Sequence, residues 1–449
     1  MSRSFFLAIF LTVVLNLSGQ SLSPTGWKYI DDNDHEQQVK LKNVLKGLKH
    51  GSDMMLIDGG TFSTLTTGLT MENVAWINPA DTALVIEPYS YRTTVKPFYL
   101  SNHEVTNFEY RDFVKWVIDS IADAHPENPA YCYYEDNEFT YKRIYNTNKI
   151  LYNNVKIYPD TLCWNRPNQP YNYAFNVNHL NDLYFNHRVF DNYPVVGVNW
   201  YQAMAYCTWK TIRLKKEALK KNKTITSVFR LPTKSEWEYA SSVRKKKVRG
   251  NSFEIEYDNY LPLWDKKGKL RTNIVTITDK NGFTIYKNPQ NNFTAHVRSY
   301  PCNYYKLYHI RGNVSEWILN DPRELKFLYF NPVLQGDTLE YYNGIAKKLQ
   351  PLTDKSEKME LVTTMLNETN RKLTGQFLNN ENEEFKQLET QRYVLYQMRI
   401  ELIFKDSDLR IVKGGSWEDG VIYQQNGVSE YLNANTMRRN TGFRVAMSM

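Results

Sequence analysis

The chain has 449 residues, with 56 Lys and Arg against 48 Asp and Glu, giving a net charge of +8. That length can bury one large core or two moderate ones, and the composition is ordinary for a folded protein apart from its 33 tyrosines. The positive charge comes without a helix-turn-helix, RNP or zinc-finger pattern, which argues against a nucleic-acid partner.

In chain order, residues 1–20 read as a secretory signal. Arg3 supplies the positive end, and Phe5 to Leu15 form an apolar stretch too short for a membrane span. Its end, Leu17-Ser18-Gly19-Gln20, has the form of a lipobox with glutamine where the lipidated cysteine belongs. Attachment of the lipid needs that sulfur, so the expected product is a lipid-free periplasmic protein held at the outer membrane by partners. Residues 21–53 are polar and Lys-rich and read as an arm with a short helix.

A first domain segment, 54–324, opens with the strand Met54-Met55-Leu56-Ile57 and a Gly59-Gly60 turn. Thr106 with Glu109 forms a T-x-x-E capping box, and Tyr110, Phe113, Val114 and Val117 follow on one helical face. Residues 125–190 are rich in Tyr and Asn and read as a long ordered loop region with short strands, the kind of loop that often carries function. Asn199 with Gln202 is a looser cap ahead of Trp200, Ala203, Met204 and Cys207, and Thr233 with Glu236 repeats the capping box. Basic runs at Lys215-Lys216, Lys220-Lys221 and Arg244 to Arg249 read first as solvated faces and second as anion contacts.

Residues 325–404 read as an inserted helical hairpin. Met359, Val362, Leu366, Leu373 and Phe377 form one apolar run, and Phe385, Leu388, Leu395 and Leu402 form the other. Such a hairpin either packs on itself or serves as a docking arm. Residues 405–449 complete the domain.

Four cysteines remain: Cys132, Cys163, Cys207 and Cys302. Four allow three full pairings; Cys132 and Cys163 are candidates to pair across a loop, and Cys207 reads as a buried thiol. There is no CxxC or HExxH spacing, phosphate loop, Ser-His-Asp arrangement or assignable carboxylate pair. The residues therefore call for no catalytic group and no cofactor.

Six segments in order carry a family resemblance. They are Gly59-Gly60-Thr61-Phe62; Glu104-Val105-Thr106-Asn107 with Tyr110 and Phe113; and Pro194-Val195-Val196-Gly197-Val198-Asn199-Trp200 with Ala203 and Cys207. Then come Arg230-Leu231-Pro232-Thr233-Lys234-Ser235-Glu236-Trp237-Glu238-Tyr239-Ala240, Gly312-Asn313-Val314-Ser315-Glu316-Trp317, and Lys413-Gly414-Gly415-Ser416-Trp417 closed by Gly442-Phe443-Arg444. Together they resemble the formylglycine-generating enzyme (sulfatase-modifying factor) family, which implies an α+β fold related to C-type lectins and low in regular secondary structure.

The enzymes of that family carry two cysteines after the Gly-Gly-Ser turn. Asp419 and Gln424 stand at those positions here, and Ser315 replaces an active-site tryptophan. Copper ligation and thiol chemistry need a thiolate, which neither a carboxylate nor an amide supplies. The family's calcium sites would fall on Gly312, Val314 and Glu316, with His309 where an asparagine ligand is expected. A second site would fall on Asn273, Ile274, Asn281 and Phe283. Calcium is thus the one cofactor the resemblance suggests. Trp317 and Trp417 read as core aromatics.

Further segments resemble the gliding-motility lipoprotein branch, GldK or PorK. They are Thr25-Gly26-Trp27-Lys28-Tyr29, Phe113 to Ile121, Tyr158-Pro159-Asp160-Thr161-Leu162-Cys163-Trp164 and Asp191 to Val198. That resemblance implies a non-catalytic scaffold of the type IX secretion system, forming a periplasmic ring with a GldN (PorN)-like partner. The alternative is a soluble glycan- or peptide-binding module on the same fold.

Overall fold

The computed structural model describes residues 45, 48, 51–63, 82–86, 92–124, 132–137, 140–145, 151–152, 154–165, 180–247, 253–257, 271–274, 293–320, 337–375, 383–404 and 408–448. The signal segment, the lipobox, nearly all of the arm, Asn281, Phe283 and Phe377 lie outside these residues.

Two sheets organise the core. Their strands are β1 (Met54–Ile57), β2 (Thr82–Ile86), β3 (Phe98–Ser101), β4 (Phe229–Arg230), β5 (Ser315–Trp317), β6 (Leu409–Lys413), β7 (Val428–Asn433), β8 (Thr441–Gly442) and β9 (Ala446–Ser448). One sheet is antiparallel in the order β1-β3-β9-β4, with Met54 opposite Ser101 and Ala446 opposite Leu100. The other runs β8-β5-β6-β7-β2, where only the β8–β5 pair is parallel. The segment 409–448 thus feeds both sheets, and the Gly-Gly-Ser turn lies between the paired strands β6 and β7.

Three helices start on the expected caps. In α1 (Asn107–Ala124), Thr106 Oγ1 accepts from the Glu109 amide at 3.2 Å, and Glu109 Oε2 accepts from the Thr106 amide at 3.0 Å. In α2 (Trp200–Lys220), the Asn199–Gln202 cap is fully reciprocal, with bonds of 2.8 and 2.9 Å. In α3 (Lys234–Ser242), Thr233 and Glu236 exchange bonds of 3.2 and 2.8 Å. Each box satisfies amides that a helix N-terminus otherwise leaves unpaired.

The apolar faces of α1 and α2 then meet. Tyr110, Phe113, Tyr206, Trp209 and Phe443 are buried and interlock, with Tyr110 stacked on Tyr206 at 5.8 Å and Phe113 edge-on to Tyr206 at 5.8 Å. A second cluster gathers Ile57, Phe98, Leu100, Trp237, Ile411 and Tyr431. Trp317 and Trp417 are buried as expected, and Trp317 Nε1 donates to the Val198 carbonyl at 3.0 Å. Lys216, Lys220 and Lys221 lie exposed on the outer end of α2. Among the described residues no helix is long and apolar enough to cross a membrane.

Two expectations are corrected. The insertion is a three-helix unit rather than a hairpin: α4 (Asp337–Leu349), α5 (Lys355–Gly375) and α6 (Glu383–Phe404). Tyr341, Ile345 and Leu349 recur every four residues and supply the third apolar face, packing with Val362, Leu366, Val394, Leu395 and Met398. The second correction is that Cys163 is a free, buried thiol rather than half of a bridge. It sits against Gly197 in a cluster with Trp164, Tyr184 and Trp417. Cys207 is free and buried as expected, and burial pushes its thiol up to about 12.

Candidate functional site

The Gly-Gly-Ser turn follows directly from β6. Gly415 has φ +64°, and a Cβ there would stand 2.8 Å from Cβ of Tyr423, so only glycine fits both the backbone and the space. The next residue, Ser416, is wholly buried. Its Oγ donates to Asp419 Oδ2 at 2.5 Å and accepts from the Glu418 amide and from Asn440 Nδ2, each at 3.2 Å.

Asp419, expected from the resemblance at the first cysteine position, is therefore part of a closed turn. Burial pushes its carboxyl up to about 7, and the nearby Glu430 adds to the rise. Gln424, expected at the second, is also buried, and its Nε2 has no hydrogen-bond partner among the described residues. It lines a cavity of about 50 Å³ with Arg271, Cys302, His309 and Arg311. The structure thus brings Cys302 to this cavity although it lies far away in sequence, a placement no local pattern signals.

The residues expected to hold calcium are brought together but are otherwise engaged. Glu316 receives the Arg444 guanidinium at 2.5–2.8 Å on both oxygens, and Trp237 Nε1 donates to Oε2 at 2.9 Å. Both Glu316 and Arg444 are essentially inaccessible, and Arg444 also donates to the Ser101 and Tyr308 carbonyls. Burial raises the Glu316 carboxyl while Arg444 opposes it. A dication at Glu316 would have to displace this buried guanidinium, so the donor set does not fit calcium.

Gly312, at φ +79°, packs against Thr272 and Asn273, and Val314 is a core residue beside Trp417. His309 is held neutral: burial lowers it to about 3, and its Nε2 lies 3.1 Å from the His296 carbonyl. Asn273 and Ile274 are buried, and Asn273 Nδ2 is spent on the Phe293 carbonyl and on Asn313 Oδ1. Ser315 is buried in β5 and bonds the Asn440 carbonyl through its amide.

Asn313 ties these parts into one network. Its Oδ1 accepts from the Ala295 amide at 2.7 Å, and its Nδ2 donates to Glu104 Oε1 at 2.9 Å. Glu104 is fully buried, which raises its carboxyl to about 8 against the pull of Arg444. Sequence reasoning placed Glu104 in a motif without giving it a role, because its partners lie more than 200 residues away. A second buried set joins Glu238 to Lys234 and Lys413, each at 2.8 Å, with all three side chains inaccessible.

An α+β fold built on a Gly-Gly-Ser turn, reciprocal helix caps and a buried Glu–Arg pair defines the class. The chain belongs to the sulfatase-modifying factor enzyme 1-like domain family, which it matches over residues 42–449. It is 33% identical over 129 residues to the formylglycine-generating enzyme of Mus musculus, covering 28% of this chain and 27% of the relative. It is 31% identical over 132 residues to that of Thermomonospora curvata, covering 28% and 33%. These alignments span about a quarter to a third of the curated relatives' length. Superposition on PvdO from Pseudomonas aeruginosa covers 90% of this chain and 96% of that one, at 15% identity and a TM-score of 0.39.

Proposed function

We propose that this chain is a non-catalytic member of its family. It acts as a structural part of a type IX secretion and gliding apparatus, scaffolding a periplasmic ring with a GldN- or PorN-like partner. The observation that carries the non-catalytic reading is the pair Asp419 and Gln424. Both are buried at the positions where the family's enzymes place cysteines, and Asp419 is sealed into hydrogen bonds with Ser416. Neither side chain offers the soft sulfur that binds copper or attacks a thiol. The assignment to the secretion apparatus rests on the sequence segments shared with the gliding-motility branch.

The scaffold is tested by affinity capture of the tagged protein from native envelopes, with lysine cross-linking and mass spectrometry. Cross-links to GldN-like components through Lys347, Lys348, Lys355, Lys358 or Lys372 are the expected outcome. A monomer without secretion partners would overturn the scaffold and favour a glycan- or peptide-binding module. Catalysis is tested separately, by incubating the copper-loaded protein with a cysteine peptide from a sulfatase. No aldehyde should form, and formation of one would reject the non-catalytic reading.

A further inference from the structure

At the N-terminal end of α1, a cavity of about 300 Å³ is lined by Asp53, His103, Glu109, Lys210, His296 and Arg298, among others. One donor atom from each of Asp53, His103 and Glu109 lies within 4.8 Å of one from each of the others. We propose that Asp53, His103 and Glu109 form a binding site for a divalent transition metal of the zinc type.

The fold brings the three together by separate means. Asp53 immediately precedes β1 and His103 follows β3. The antiparallel pairing of those strands sets them side by side, sealed by a bond from the Asn102 amide to the Asp53 carbonyl at 2.9 Å. Glu109 comes from the first turn of α1, the helix that follows at once.

Each side chain is also anchored through an atom that is not needed for the metal. His103 Nδ1 lies 2.8 Å from the Glu104 carbonyl, to which it can only donate, leaving Nε2 as the ring nitrogen available to a metal. That Nε2 is 3.9 Å from Asp53 Oδ2. The other Asp53 oxygen, Oδ1, is held by Arg298 at 3.0 Å. Glu109 Oε2 is held by the Thr106 amide and hydroxyl, both at 3.0 Å, and its Oε1 has only the long approach of Lys210 at 3.6 Å. A ligand fixed by a hydrogen bond on its far atom is the usual second layer of a metal centre.

The charge and room also suit a cation. Three carboxylates, Asp53, Glu109 and Asp112, line the cavity against the two cations Lys210 and Arg298. Imidazole and carboxylate donors without a thiolate select zinc and its first-row neighbours. Donors around zinc stand about 3.3 Å apart, so the present spacing closes by side-chain rotation of the partly exposed Asp53 and Glu109. Three protein donors leave a fourth position open to the cavity.

The test uses the untagged mature chain, stripped with chelator and titrated with zinc chloride in a calorimeter, and separately with cobalt(II) in a spectrophotometer. One equivalent of zinc should bind. Cobalt should give visible ligand-field bands, and His103→Gln and Asp53→Asn should each weaken zinc binding by tenfold or more. Asp53 is partly exposed, so Asp53→Asn keeps the test readable even if His103→Gln impairs folding. Absence of saturable binding overturns the proposal, and so does binding that neither substitution weakens.

Discussion

Asp419 is a buried carboxylate whose ionisation is tied to the fold. Its folded carboxyl lies near 7 against an ordinary value of 3.8. The native state therefore binds more protons than the unfolded chain between those values, and its contribution to stability is complete below about 3.8 and is lost as pH rises through 7. Asp419→Asn removes that dependence. The unfolding free energy of the variant in urea should gain on the wild type between pH 4 and 7, by up to a few kcal/mol at about 1.4 kcal/mol per pH unit. An unchanged difference across that range would show that Asp419 ionises freely.

Glu316 and Arg444 form the complementary case, a buried pair with every atom engaged. Removing one partner strands the other in a dry core. Arg444→Met should therefore cost about 3–5 kcal/mol in chemical denaturation. Replacing both together, with Glu316→Gln, should cost less than the sum of the two single changes.

Among the elements, the helix caps were the most legible. A Thr or Asn followed three residues later by Glu or Gln is a local signature, and all three boxes formed where the spacing placed them. Asn199→Ala should cost about 0.5–2 kcal/mol by freeing the Gln202 amide, read as a lowered thermal midpoint with no change in far-UV spectrum at 20 °C.

The insertion was only partly legible. The runs in α5 and α6 stood out, while α4 escaped because its apolar face is short and mixes Tyr341 with Ile345 and Leu349. The three helices bury Val362 and Leu395 completely in their own cluster. Leu395→Ala should thus cost 2–5 kcal/mol locally, and hydrogen exchange should accelerate in α4 to α6 before the sheets respond.

For the whole molecule, the decisive feature is how the insertion joins the core. β5 and β6, which flank it in sequence, are direct antiparallel neighbours, with Trp317 opposite Val412 and the Ile318 amide bonded to the Ile411 carbonyl. The chain therefore leaves and returns at adjacent points, and neither core cluster of the two sheets includes an insertion residue. Replacing residues 337–404 by a short Gly/Ser linker should leave a cooperatively folded core. If the scaffold proposal is right, the same deletion should reduce recovery of secretion partners in the affinity capture. Loss of folding would show that the insertion is integral, and unchanged recovery would place the docking surface elsewhere.

Local chemistry in the sequence by itself determined the family, the helix starts, the core tryptophans and the absence of a cysteine pair after the Gly-Gly-Ser turn. Each depends on residue type at short spacing, which a one-dimensional reading retains. Only the tertiary structure decided that Glu316 is spent on Arg444, that Cys302 reaches the cavity of Gln424, that Cys163 is buried as a thiol, and that Asp53, His103 and Glu109 converge. Those outcomes depend on contacts between segments tens to hundreds of residues apart. Strand register and helix packing set such contacts, and no local pattern encodes them.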